Sequence, residues 1–248
     1  MNNNLLKGSD KEYWHRYIPM YEEALSKLTN CNRILEFGVF KGDSIRWINN
    51  KYPNAEIYGC DILSVQPEWT IAENIKYYYV DQGKLETIKD VFASIGNKLD
   101  LIIEDGSHFP EHQRNCLIEG LKHMNKGGIF ILEDLHTSLP DHQYYKKGGS
   151  NYIGPLHVLL YLEHLISTEK EIDRVALNDF SKNSLFSPQQ VIDLFENISE
   201  IKIYKRATLP HKCYSCGSTD FKYHTLKCKC GVDLYSNTDS MTAVIKVK

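Results

Sequence analysis

The sequence predicts an α/β fold built on a doubly wound, mostly parallel sheet, and three features of its 248 residues carry that expectation. Short, nearly unbroken apolar runs at 99–103 and 129–132 suit parallel strands covered on both faces. Between them lie a helix-like segment and a Lys-Gly-Gly turn, so the unit reads as strand, helix, parallel strand. Each run ends in acid: Glu104 and Asp105 after the first, Glu133 and Asp134 after the second. Adjacent strands lie roughly 4.8 Å apart, so these carboxylates converge at the carboxyl edge, where open α/β sheets bind ligands.

Composition sets the outer limits. A hydrophobic content of 42% and a charged content of 25% are those of an ordinary soluble protein, long enough for one α/β domain and a small appendage. No apolar run approaches the roughly 20 residues of a membrane span, and MNNNLLKGSDKEYW lacks a signal peptide's apolar core. The expectation is a cytoplasmic protein with no membrane partner. A net charge of -3 argues against bulk nucleic-acid binding, although seven Lys or Arg residues between 202 and 230 face the single acid Asp220. That local excess reads as a solvated face.

Residues 1–30 form an N-terminal helical segment. Tyr13, Tyr17, Met20, Tyr21, Ala24, Leu25 and Leu28 recur at helical spacing, with Ser9 or Asp10 as N-cap. The segment either packs on the domain or acts as a lid carrying His15 or Arg16 toward a ligand. The main domain follows at 31–207. It opens with RILEFGVFKGDSIRWI, where Ile34 and Leu35 begin a buried strand, Glu36 closes it, and Gly38 to Gly42 turn into a helix near Asp43 or Ser44. The Glu-x-Gly-x-x-x-Gly spacing lacks the second glycine of the dinucleotide fingerprint, which lowers NAD or FAD as the ligand. It resembles motif I of class I S-adenosylmethionine-dependent methyltransferases. That resemblance implies cofactor contacts from Glu36, Gly38, Gly42 and Ser44.

The next strands keep the pattern. AEIYGCDI ends at Asp61, about twenty residues beyond the turn, where an acid accepts hydrogen bonds from ribose hydroxyls. IKYYYVDQG ends in Asp81 and Gln82, which resembles the position that contacts adenine, and Asp105 closes the cofactor set. Beyond Thr137, residues 138–154 are rich in Gly, Tyr and Lys and read as a mobile loop over an active site. PLHVLLYLEHLI and SPQQVIDLFENI are helices, the second with Ser187 as N-cap and Pro188 at its first position. ISEIKIYKRA and SMTAVIKVK are the final strands. Class I methyltransferases end in such a hairpin, which implies a Rossmann-like seven-stranded sheet with 240–248 as its last strand.

The connection between those last strands, 208–239, is too long for a hairpin loop. It holds Cys213-x-x-Cys216, eleven further residues, and Cys228-x-Cys230. Two paired-cysteine knuckles suit a tetrahedral, structural Zn²⁺ in a zinc-ribbon insertion. Disulfides are the competing account, disfavoured in the cytoplasm. His211 and His224 are nearby, yet four thiolates complete the site. The knuckle's surface is left open to an oligomer contact or a substrate wall. Cys31, Cys60 and Cys116 read as core thiols.

DLIIEDGSH, PEHQ and GGIFILEDLHTS together resemble the metal-dependent sugar O-methyltransferases of the mycinamicin type, with the cephalosporin hydroxylase-like group more distant. GSDKEYWHRY resembles that family's Gly-Thr-Asp-Lys segment, so the similarity spans 8–138. It implies that Asp105, Glu133 and Asp134 bind Mg²⁺, with Mn²⁺ equally suited to oxygen ligands, and that His108 is the general base; His136, by its position alone, is a second candidate for proton transfer or substrate binding. The chemistry agrees, because a carboxylate-held cation lowers a sugar hydroxyl's pKa and fixes its direction. Glu133 and Asp134 are neighbours, so both ligate only if the chain turns there. The expected activity is S-adenosylmethionine-dependent methylation of a sugar hydroxyl in a nucleotide sugar, a polysaccharide precursor or a glycosylated small molecule. Two other readings are a nucleic-acid methyltransferase gripping phosphates through the knuckle and a non-catalytic nucleotide-binding scaffold. A homo-oligomer is left open.

Overall fold

The computed structural model describes residues 9–147, 152–235 and 240–248. Seven strands make one sheet: β1 (Arg33–Phe37), β2 (Glu56–Asp61), β3 (Ile75–Tyr79), β4 (Leu99–Glu104), β5 (Met124–Leu132), β6 (Ile198–Lys205) and, after the small ribbon of β7 (Phe221–Lys222) and β8 (Lys227–Cys228), β9 (Met241–Val247). Their order is β3-β2-β1-β4-β5-β9-β6. All pairings from β3 to β5 are parallel, and β9 runs antiparallel to both β5 and β6. The expected doubly wound sheet with a terminal antiparallel hairpin is therefore present. The order reverses between β1 and β4, and ligands of such sheets bind beyond the strand ends at that reversal.

Period-two alternation splits the core between the two faces. Along β4, Ile102 packs with Leu35 and Phe130 on one face, while Leu101 and Ile103 pack with Ile34 and Ile129 on the other. The first face is covered by α4 (Leu85–Ile95), α5 (Pro110–Gly120), α7 (Pro155–Ser167) and α9 (Pro188–Asn197). The second is covered by α2 (Ile18–Leu25) and α3 (Asp43–Lys51). Ser187 caps α9 in a capping box with Gln190, as its sequence predicts. The 4-residue α1 (Asp10–Tyr13) takes Ser9 as N-cap, and the chain breaks before α2 at Arg16, whose φ is 59°.

Two helices were not anticipated: α4 and α8 (Arg174–Phe180). A 3-10 turn at Leu135–Ser138 leads into the segment expected to be a mobile loop, which itself carries α6 (Gln143–Lys147). Tyr145 in it is buried and stacks on Tyr152, which explains the ordering of a polar stretch. Residues 148–151 of that loop, 1–8 of the N-terminal segment and 236–239 of the cysteine insertion lie outside the described residues. No helix among the described residues is long and apolar enough to cross a membrane.

Candidate active site and metal centres

The glycine turn after β1 sets the floor of the site. Gly38 has a φ of 90°, and a Cβ there would lie 2.1 Å from the carbonyl oxygen of Asp105. Only glycine lets the β1 turn approach the end of β4 this closely. Asp61 then fixes the turn, its Oδ2 accepting the Val39 N–H at 2.8 Å and the Phe40 N–H at 3.0 Å. Its Oδ1 accepts the Leu63 N–H at 2.9 Å. A carboxylate at the end of β2 thus shapes the loop before it meets any ligand.

A cavity of about 480 Å³ opens over these strand ends. Gly38, Asp61, Asp81, Gln82, Asp105, His108, Glu133 and Asp134 border it, so most of the residues singled out in the sequence come together. Glu36, Gly42, Ser44 and His136 do not line it, although His136 Nδ1 lies 3.8 Å from Asp134, which does. Glu36 is fully buried behind the turn, where its Oε1 accepts the Ser44 hydroxyl. Gly42 is the left-handed N-cap of α3. Ser44 borders a separate small cavity. Gln82 reaches the cavity but spends its amide inside the protein: Nε2 donates to Glu104 Oε1 at 2.6 Å, and Oε1 accepts the Ser107 N–H at 2.8 Å.

The acidic centre departs from the expected ligand set in one respect. Ligand atoms of Asp105, His108 and Asp134 lie within 4.8 Å of one another. Glu133 Oε1 instead takes the Lys11 ammonium at 2.6 Å and the Tyr21 hydroxyl. Lys11 also reaches Asp105 Oδ2 at 2.5 Å. Burial works against that ammonium, but Asp105 and Glu133 outweigh it and hold its pKa well above the usual lysine value. Burial and the adjacent Asp105 push the Glu133 carboxyl up, with Lys11 pulling the other way. The turn needed to bring both neighbours to the site exists, because Asp134 adopts a left-handed φ of 54° just after β5 ends.

Asp134 is ringed by histidines. Its oxygens lie 3.6 Å from His108 Nδ1, 3.8 Å from His15 Nδ1 and 3.8 Å from His136 Nδ1, and Oδ1 accepts the Tyr17 hydroxyl at 2.9 Å. Burial opposes its charge, yet His15, His108, His136 and Tyr17 together hold its pKa well below the usual carboxylate range. Burial also opposes protonation of His108, but Asp134, Asp105 and Glu104 prevail and raise its pKa. His108 sits at a φ of 59°, in a turn on which Tyr144 of α6 leans by stacking 4.4 Å from neighbouring Phe109. Sequence reading missed Lys11, Tyr17 and Tyr21 as members of the site. Their helical spacing marked them only as core, and Lys11 was visible solely inside the Gly-Ser-Asp-Lys string.

Glu36 supplies a test of the turn's energetics. Its Oε2 has no hydrogen-bond partner, and burial, opposed by Lys11 and Ser44, pushes its carboxyl up to about 7. Between the unfolded value near 4.5 and the folded value near 7, the native state holds the extra proton, so stability falls as pH rises through this window. Glu36→Gln is expected to remove that slope, worth at most roughly 3 kcal/mol, in urea melts from pH 5 to 8. An unchanged slope would place the pH dependence elsewhere.

The second centre is the cysteine insertion. Cys213 and Cys230 Sγ lie 3.6 Å apart, and Cys216 and Cys228 Sγ 3.5 Å apart, with all four within 4.8 Å of one another. Zn–S bonds of about 2.3 Å in a tetrahedron put sulfurs roughly 3.8 Å apart, so the donor set fits a four-thiolate structural zinc. All seven cysteines are free thiols. Cys60 and Cys116 are core residues as expected, while Cys31 is half-buried.

No protein-family model matches the chain. Mycinamicin VI 2''-O-methyltransferase of Micromonospora griseorubida is 28% identical over 134 residues, 51% of this chain and 33% of that protein. The 8-demethyl-8-alpha-L-rhamnosyl tetracenomycin-C 2'-O-methyltransferase of Streptomyces olivaceus is 28% identical over 142 residues, 54% of this chain and 37% of that protein. The chain thus covers about a third of the length of these curated relatives. The solved structure of the MycE methyltransferase in complex with Mg, SAH and mycinamycin VI superposes with a TM-score of 0.58 at 23% identity, over 76% of this chain and 46% of that one. These matches bear out the motif resemblance and the fold class.

Proposed function

We propose that this chain is an S-adenosylmethionine-dependent, divalent-metal-assisted O-methyltransferase acting on a sugar hydroxyl of a small glycosylated acceptor or sugar precursor. The observation that carries this reading is the convergence of Asp105, His108 and Asp134 in one cavity with the Gly38 turn, Asp61 and Asp81. The first three supply acid–base and metal-ligand chemistry, and the others form a cleft of the kind that holds a nucleoside at a strand-order reversal. Two relatives are named as O-methyltransferases, of mycinamicin VI and of a rhamnosyl tetracenomycin, which supports the acceptor class.

Asp105 and Asp134, with Glu133 as third ligand, would hold Mg²⁺ or Mn²⁺, whose bound form polarises the acceptor hydroxyl. His108 turns Nδ1 toward Asp134 Oδ2 across 3.6 Å, which leaves Nε2 to take the hydroxyl proton. Asp134 stabilises the imidazolium that results. Bound S-adenosylmethionine would supply the sulfonium methyl to the acceptor oxygen freed of its proton by His108, the carbon–sulfur electron pair passing to sulfur to give a neutral thioether. The acidic rim favours the cationic methyl donor over its neutral product. Reduced thiols and a four-cysteine zinc site are consistent with a cytoplasmic location.

Calorimetric titration of S-adenosylhomocysteine and then Mg²⁺ into the intact protein, followed by methyl transfer to rhamnosylated small molecules, tests the reading. Sequential binding and a methylated sugar are expected. No binding of S-adenosylhomocysteine would sink it, and methylation of RNA in place of glycosides would move it to the nucleic-acid alternative.

Lys11 makes a further expectation possible, because its ammonium and a divalent cation neutralise the same carboxylates. Lys11→Met should cost about 3–5 kcal/mol in metal-free urea melts, since it leaves buried Glu133 and half-buried Asp105 without their cationic partner. Millimolar Mg²⁺ should restore part of that loss. A variant equally stable with and without Mg²⁺ would separate Lys11 from the metal site.

A further inference from the structure

We propose that Trp14 and the four-cysteine knuckle form a clasp that positions residues 9–17, and with them Lys11, against the active site, so that zinc in the knuckle governs cofactor binding. The 4-residue α1 is far too short to persist unaided. On one side Lys11 enters the site and pairs with Asp105 and Glu133. Three residues later Trp14, only 6% exposed, packs in a cluster with Cys213, Cys228 and Leu234.

The same contact is reinforced along the segment. Tyr214, between the first two cysteines, meets Trp14 edge-on at 4.7 Å, and the Arg206 guanidinium lies 4.8 Å from the Trp14 ring centre. The His211 N–H donates to the Tyr13 carbonyl at 2.7 Å, and Arg16 donates to the Leu209 carbonyl at 3.3 Å. Asp10, Lys11 and His15 from this segment form a wall of the cavity. The knuckle has little apolar core apart from this cluster and two 2-residue strands. A unit of this kind folds when its metal binds. Zinc therefore orders the knuckle, the knuckle seats Trp14, and seated Trp14 keeps the cavity wall in place. A fall in the seated fraction weakens ligand binding by the same factor.

Two variants separate the links of this chain. Cys216→Ser/Cys230→Ser removes exposed thiols and the zinc, whereas Trp14→Ala removes the seat with zinc retained. Metal content, amide hydrogen exchange by mass spectrometry and calorimetric S-adenosylhomocysteine binding are compared with the intact protein. Both variants are expected to lose protection at residues 10–17, keep it in β1 and β4, and bind S-adenosylhomocysteine about tenfold more weakly or worse. Retained protection and affinity in the zinc-free variant would overturn the proposal. So would loss of protection throughout the sheet, which would make the knuckle a general stabiliser. The binding readout rests on the methyltransferase reading and the exchange readout does not. An intact protein that fails to bind S-adenosylhomocysteine sinks that reading while exchange still decides the clasp.

Discussion

Asp134→Asn is expected to lower methyl-transfer turnover on the order of 10³-fold or more, because in the proposed mechanism this one side chain would serve both metal and base. In the folded protein this carboxylate faces His15, His108 and His136 and accepts the Tyr17 hydroxyl. An amide cannot offer an anionic oxygen to a cation, and it cannot stabilise an imidazolium at His108. Both losses act on the transition state. Binding of S-adenosylhomocysteine should change little, since the turn beside Gly38 and Asp61 is untouched. The substitution also bears on stability. The folded pKa of Asp134 is depressed, so its carboxylate stabilises the fold at neutral pH and that contribution fades as pH falls toward the folded value. The asparagine variant should therefore show a shallower acid limb. Full turnover with Mg²⁺ present would remove Asp134 from the chemistry.

Gly38→Ala is the largest structural effect expected, a destabilisation above roughly 4 kcal/mol with loss of cofactor binding. The new Cβ would sit 2.1 Å from the Asp105 carbonyl oxygen, 2.6 Å from its carbon and 2.7 Å from Gly106 Cα. All three are backbone atoms, so relief requires moving the β1 turn or the end of β4, and both elements carry the site. Gly127→Ala is the control. It too sits at a positive φ, of 77°, but a Cβ there meets nothing within 4 Å. Its cost should be the backbone strain alone, on the order of 1 kcal/mol. Chemical denaturation of the two variants separates strain from collision. Equal losses would mean that the approach of the β1 turn to β4 can relax.

The sheet and the acid-tipped strands were legible because each rests on local chemistry. Nearly unbroken apolar runs at 99–103 and 129–132 can only be buried strands or helices, and their brevity and glycine boundaries decide for strands. Paired cysteines likewise announce themselves by spacing, and the structure brings the four sulfurs together. Residues 138–147 and 152–154 were less legible, because Tyr145 is placed by meeting Tyr152, a contact invisible in composition.

The sequence alone thereby determined the fold class, the strand ends that carry Asp61, Asp81, Asp105 and Asp134, and the cysteine knuckle. Only the tertiary structure decided what those carboxylates face. Glu36 Oε1 and the Gln82 amide turned inward to partners inside the protein, the Ser44 hydroxyl for the first and Glu104 and the Ser107 amide for the second, while Glu36 Oε2 is left without one. Lys11 joined the site for the complementary reason. Buried acids at the ends of β4 and β5 require a counter-charge, and the chain supplies it from a helix 94 positions before Asp105, a pairing that no local pattern encodes.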